Sequence, residues 1–137
     1  MLIIRAAKLA DIEGIKQIYA AAAGSDATCK DDEWQRLIAT GGILVAESEN
    51  QLAGFGSIEV QVTEQVKYLY VAPEFQKAGI GAKLLDSLEA IGRKAGLQSI
   101  MLHANPSAVA FYRRAGYNPV ESPIHHDHDG VEMMKLL

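Results

Sequence analysis

Residues 66–85 read Val66-Lys67-Tyr68-Leu69-Tyr70-Val71-Ala72-Pro73-Glu74-Phe75-Gln76-Lys77-Ala78-Gly79-Ile80-Gly81-Ala82-Lys83-Leu84-Leu85. The first six are mostly aromatic, aliphatic or β-branched, and they turn apolar on both faces toward Val71. That pattern predicts a strand lying centrally in a sheet. Pro73 stops it, because proline has no N–H to give to a ladder. Beyond the glycines at 79 and 81 the period changes. Ile80, Leu84, Leu88 and Ile91 recur at helical spacing, Lys83, Glu89 and Arg93 are expected to face solvent, and Gly96 closes the helix. Strand, glycine turn and helix in direct succession make an α/β unit. The start of such a helix carries unpaired N–H groups and the positive end of the peptide dipoles, and glycine lets a ligand approach the backbone closely. Residues 76–82 therefore read either as a cradle for a phosphate-bearing anion or as a plain strand-to-helix turn. No Gly-Lys-Ser/Thr triplet follows, so this is not a Walker loop. The third glycine of a dinucleotide fingerprint is missing too.

Working outward toward the N-terminus, Leu52 to Val62 alternates Ile58, Val60 and Val62 against Ser57, Glu59 and Gln61, which predicts a strand. Ile43–Ala46 is another, separated from it by the polar turn Glu49-Asn50-Gln51. A short helix is expected over 31–39, with Trp34, Leu37 and Ile38 on one side. A longer one is expected from Lys8 to Ala22, with Asp11 and Glu13 at its positive end, closed by Gly24-Ser25-Asp26. Residues 2–5 are a first strand. In the other direction, Ser99–Leu102 is a buried strand. Asn105-Pro106 starts a helix to about Arg114, asparagine being a strong cap and proline favoured at the first helical position. Gly116 ends it, and strands follow at 117–121 and 131–136. The order βααβββαβαββ predicts an α/β fold: a mixed sheet of about six to seven strands flanked by about four helices.

The whole chain, 1–137, is expected to be one domain, with 49% hydrophobic and 22% charged residues. A net charge of −4 and the absence of a basic run argue against nucleic acid as a partner. No apolar run approaches a membrane span, and Arg5 and Lys8 interrupt any signal-peptide core. The single cysteine, Cys29, forms no intrachain disulfide. These features lead us to expect a cytoplasmic protein.

A second chemical signal is Leu102-His103-Ala104-Asn105-Pro106-Ser107-Ala108-Val109-Ala110-Phe111-Tyr112-Arg113-Arg114-Ala115-Gly116-Tyr117. Tyr112 is seven residues beyond Asn105, which brings both to roughly one side of a helix. A phenol with a pKa near 10 can protonate a departing thiolate of similar basicity, although Phe111 and Tyr112 can equally be core aromatics and Asn105 only a cap.

Together the two segments resemble the GCN5-related N-acetyltransferase (GNAT) family. Gln76-Lys77-Ala78-Gly79-Ile80-Gly81 is similar to its Gln/Arg-x-x-Gly-x-Gly/Ala pyrophosphate loop, with Leu69-Tyr70-Val71 on the strand before it. Asn105, Ala108, Phe111, Tyr112, Gly116 and Tyr117 follow its Asn-x-x-Ala-x-x-Phe-Tyr-x-x-x-Gly-Phe/Tyr helix. The opening Ile4-Arg5-Ala6-Ala7 with Asp11 and Ile15 looks like its first strand and helix. The resemblance implies a sheet splayed at its centre between strands 66–71 and 98–102, with the pantetheine of acetyl-CoA in the gap. It implies that the backbones of Leu69, Tyr70 and Val71, the loop from Gln76 through Lys77, Ala78, Gly79, Ile80 and Gly81 to Ala82, and Asn105, Ala108, Phe111 and Tyr112 hold that co-substrate. It further implies that the Val71 N–H polarises the thioester carbonyl and that Tyr112 protonates the leaving thiolate. The acceptor is then a primary amine on a small molecule or peptide, and the protein an N-acetyltransferase. The reading from another class is a non-catalytic acyl-CoA-binding or sensing module. The family's glutamate base falls at Gln65, beside Glu64, so the base position departs from the pattern.

His103, close to Asn105, is a candidate base or a plain loop histidine. The run His125-His126-Asp127-His128-Asp129 reads as a solvated loop, a substrate-pocket rim or a metal-binding tract. It lacks the spacing of a closed metal site, so no metal is expected. Tyr19 and Trp34 read as core or as pocket lining. Sheet edges in so small a fold suggest a homodimer.

Overall fold

The computed structural model describes residues 2–23, 31–120 and 130–137. Among them the strands are β1 (Leu2–Ala6), β2 (Ile43–Ser48), β3 (Gln51–Glu59), β4 (Gln65–Val71), β5 (Ser99–Ala104), β6 (Asn118–Pro119) and β7 (Val131–Leu136). The helices are α1 (Ile12–Ala23), α2 (Asp31–Thr40), α3 (Ile80–Lys94) and α4 (Val109–Arg114). One sheet runs in the order β1-β2-β3-β4-β5-β7-β6. β4 is its central strand, as its two-sided apolar sequence predicts.

Antiparallel ladders join β1 through β4, and others join β5, β7 and β6. The single parallel junction, β4 to β5, is registered only at Gln65↔Met101, where the Met101 N–H bonds the Glu64 carbonyl at 3.1 Å. The sheet is therefore two antiparallel blocks fastened at one corner, and it is splayed from there toward Val71 and Ala104.

Each face carries its own core. On one face Leu85 and Leu88 of α3 pack with Ile58, Val66, Ile100, Leu102 and Met133, and with Tyr112 and Tyr117. On the other, Ile15 and Ile18 of α1 and Trp34 of α2 pack on Ile43, Val45 and Phe55. Two glycines of β3 set how closely α3 approaches. A Cβ at Gly54 would stand 2.8 Å from the Tyr70 carbonyl and 3.1 Å from Leu84, and one at Gly56 would stand 2.9 Å from Leu88.

The structure corrects several sequence expectations. The first helix does not run from Lys8. Residues Leu9–Asp11 form a 3-10 turn, because the Asp11 carboxylate accepts the Lys8 N–H at 2.7 Å and pairs with both terminal nitrogens of Arg5 at 2.8 and 3.0 Å. β3 stops at Glu59 rather than continuing to Val62. The Glu59 carboxylate accepts the N–H groups of Gln61, Val62 and Thr63 and so turns the chain, leaving Val62 84% exposed. Of the strand expected at 117–121, Asn118–Pro119 is the part that is strand among the described residues, and Tyr117 is committed to the core. Asn105 stands at the start of a 3-10 turn (Pro106–Ala108), and its side chain makes no capping bond. Glu89 does not face solvent: it is 1% exposed and hydrogen-bonded under α3. The expected end of the first helix at Gly24-Ser25-Asp26 lies outside the described residues.

Candidate active site

The Ala72 N–H bonds the Ala53 carbonyl at 2.8 Å, and β4 pairs with β3 as Tyr70↔Phe55 and Val71↔Gly54. Bonded and non-bonded pairs alternate along an antiparallel ladder. Leu69 and Val71 therefore turn their amide groups away from β3, into the gap where the junction with β5 has ended. The Val71 carbonyl accepts a hydrogen bond from Gln76 Nε2 at 3.1 Å, which ties the loop back to the strand end.

Past Pro73–Phe75, a second 3-10 turn, Lys77 and Gly79 take positive φ angles of 68° and 79°. These reversals swing the chain into α3. Ile80 plugs into the core at 5% exposure and holds the helix start in place. The Lys83 N–H is bonded to the Gly79 carbonyl at 3.2 Å, so the N–H groups of Ile80, Gly81 and Ala82 precede the first helical donor. A Cβ at Gly81 would lie 3.4 Å from the Phe111 ring and 3.6 Å from Val71 Cγ2. The end of β4, the start of α3 and the side of α4 thus converge on one glycine.

Around that point opens a cleft of about 630 Å³. Leu69, Tyr70, Val71, Gln76, Lys77, Gly79, Ile80, Gly81, Ala82, Asn105, Ala108, Phe111 and Tyr112 all line it, and Ala78 does not. Sequence reasoning missed four lining residues: Ala22, Phe75, Ser107 and Arg114. Ser107 and Arg114 stand four before and three after Phe111, so helical spacing was a sufficient signal for them. Ala22 comes from the far end of α1, and no local pattern marks it. Lys77 and Arg114 bring two exposed cations to the cleft. The residues present fit coenzyme A. The gap offers backbone groups to an extended amide-bearing chain, the helix start and the two cations suit phosphates, and neither glycine carries a side chain to fill the cradle.

Tyr112 is 9% exposed, and burial pushes its phenol up to about 12, with the nearby Tyr70 adding to the effect. Its ring meets Phe111 and Tyr117 edge-on at 5.1 and 5.8 Å. Tyr70, half-buried and also raised by burial, links the cleft to an aromatic cluster on the other face, where it meets Tyr19 at 5.3 Å. Trp34 in that cluster is fully buried against Phe55 at 5.6 Å, which makes it core rather than lining.

His103 is exposed on β5, opposite Glu132 of β7, and does not line the cleft. Gln65 opens β4 at the corner where the blocks join. The Glu59 carboxylate is lowered to about 2, chiefly by the Thr63 hydroxyl and N–H, so it is too weakly basic to take a proton from an amine. Cys29 and the run His125–Asp129 lie outside the described residues. Among those described, no three metal-ligating side chains cluster, and no helix is long and apolar enough to cross a membrane.

A splayed mixed sheet with a glycine-started helix at the gap defines a class, the acyl-CoA N-acyltransferase fold. The chain belongs to the acetyltransferase (GNAT) domain family, whose model matches residues 14–137. It is 30% identical over 87 residues to the uncharacterized protein YyaT of Bacillus subtilis (strain 168), a match spanning 63% of this chain and 59% of that protein. It is 27% identical over 120 residues to the uncharacterized N-acetyltransferase CT2212 of Chlorobaculum tepidum, covering 86% of this chain and 76% of that protein. Among solved structures, the PaiA N-acetyltransferase of Thermoplasma acidophilum in complex with coenzyme A superimposes with a TM-score of 0.86 at 19% identity. That match covers 100% of this chain and 99% of PaiA.

Proposed function

We propose that the protein is an acetyl-CoA-dependent N-acetyltransferase that acts on a primary amine by direct attack. The observation that carries this reading is the convergence at Gly81 of the free edge of β4, the start of α3 and Phe111 of α4, in a cleft that Tyr112 also lines. Acetyl-CoA supplies an activated acyl thioester. The Leu69 and Val71 backbone pairs with its amide-bearing arm as an added strand would, the N–H groups at 80–82 receive the pyrophosphate, and Lys77 and Arg114 balance its charge. The Val71 N–H, aimed into the gap, polarises the thioester carbonyl. The amine lone pair forms the new C–N bond as the C–S bond breaks, and Tyr112 gives its proton to the departing sulfur. Burial keeps the Tyr112 phenol protonated at neutral pH, so the proton is in place to be donated. The proton shed by the amine leaves through the open side of the sheet, where His103 is the exposed imidazole of β5.

The test is calorimetric titration with acetyl-CoA, followed by thiol release against a panel of primary amines. Gly81→Glu places a carboxylate within reach of the Phe111 ring and in the phosphate cradle, and is expected to abolish micromolar binding. Undiminished binding by that variant, or none by the wild type, refutes the reading.

A further inference from the structure

We propose that Glu89 and Tyr117 form a positioning pair that holds Tyr112 in its proton-donating orientation; this rests on the acid role given to Tyr112 above. Glu89 is one of three buried polar or charged side chains among the described residues. Its Oε2 accepts the Tyr117 hydroxyl at 2.9 Å, and its Oε1 accepts Lys135 Nζ at 2.9 Å, with Arg93 Nη2 at 3.7 Å. Three elements are thereby tied together: α3 through Glu89, β7 through Lys135, and the segment after α4 through Tyr117.

Tyr117 is fastened to Tyr112 twice. Its N–H donates to the Tyr112 carbonyl at 3.0 Å, and its ring stands edge-on to the Tyr112 ring at 5.8 Å. Lys135 Nζ also lies 5.8 Å from the Tyr117 ring centroid, on the ring's face. A ring held at its hydroxyl end by a carboxylate, at its face by a cation and at its backbone by α4 has one orientation, and the Tyr112 ring packs against it. Burying a carboxylate is expensive, and an apolar pair at 89 and 117 would fill this volume without that cost. Fold stability alone does not call for an ionic group here. Orientation of the neighbouring phenol does, because a hydrogen bond defines ring direction more narrowly than apolar contact.

The experiment compares Tyr117→Phe, Tyr112→Phe and the double variant by single-turnover thiol release from acetyl-CoA, with the best amine of the panel and with water alone. Coenzyme A affinity is measured by calorimetry. Tyr117→Phe removes one oxygen and is expected to fold, to bind coenzyme A within twofold of wild type, and to lose about tenfold in rate, as small misplacements of a reacting group do. In the Tyr112→Phe background the same change is expected to cost nothing further, because no proton donor remains to be oriented. Glu89→Gln, which keeps an acceptor oxygen for the Tyr117 hydroxyl, is expected to retain more rate than Glu89→Leu. Equal losses from Tyr117→Phe in both backgrounds, or no loss in either, overturn the positioning role. Full rate in Tyr112→Phe alone overturns the acid role first, and the two failures are thus told apart.

Discussion

Replacing Tyr112 by phenylalanine separates chemistry from packing, because the ring stays and only the hydroxyl leaves. A positioned general acid contributes about 10²–10⁴-fold, so thiol release from acetyl-CoA is expected to fall at least about a hundredfold, or about 2.7 kcal/mol in barrier. Coenzyme A affinity is expected to stay within twofold, since the ring still lines the cleft. The pH dependence carries its own sign. The folded-state phenol, pushed up to about 12 from an ordinary 10, keeps its proton through the neutral and mildly alkaline range. A rising limb of the rate profile below about pH 10 therefore belongs to the amine or its base, and the fall caused by losing the Tyr112 proton is expected only near pH 12.

The same shift affects stability. Because the folded pKa lies above the unfolded one, the stabilising contribution is complete below pH 10 and is lost as pH rises through about 12. The gap is worth roughly 3 kcal/mol. Tyr117, raised by burial and by Glu89, adds loss of the same sign. Urea denaturation of wild type is expected to decline more steeply than that of Tyr112→Phe as pH rises from about 10 to about 12, while the difference between the two stays constant at neutral pH. Turnover of Tyr112→Phe within about threefold of wild type would refute the acid assignment.

Two further outcomes follow from the scaffold. Asp11→Ala removes the acceptor of the Lys8 N–H and the partner of Arg5, and is expected to cost about 2 kcal/mol in urea denaturation at pH 7. Arg5 holds the Asp11 carboxyl below its ordinary value, so that contribution is present above pH ~4 and fades on acidification; the difference between wild type and variant should shrink there. Gly56→Val pushes a branched side chain against Leu88 and the Tyr68 carbonyl, lifting α3 and the helix start that lines the cleft. Coenzyme A affinity should fall along with thermal stability, a paired loss readable by calorimetry and thermal melts.

Sequence and structure divide the explanation unevenly. Local chemistry sufficed for the element order and for β4 as the central strand, because two-sided apolar character leaves a strand nowhere else to go. It also sufficed for most of the cleft. Leu69 to Val71, the loop at 76–82 and the helix face bearing Asn105, Ala108, Phe111 and Tyr112 are each contiguous or periodic, so short-range pattern exposes them. Pattern failed wherever a side chain's partner is distant in the chain. Glu89 follows helical periodicity on α3 and looks solvent-facing, until Tyr117 and Lys135 arrive from 28 and 46 residues away. Ala22 and Arg114 meet at the cleft although 92 residues separate them by number (22 and 114). The splay itself is a tertiary outcome. β4 and β5 are both good strands, yet they pair only at Gln65↔Met101 while each keeps the antiparallel ladder on its outer side. The raised phenol of Tyr112 comes from burial between elements rather than from its neighbours in sequence. Propensity and period act over a few residues and so are legible in the chain. Desolvation and buried hydrogen bonds depend on which surfaces meet, and that is decided only when the two sheet faces close.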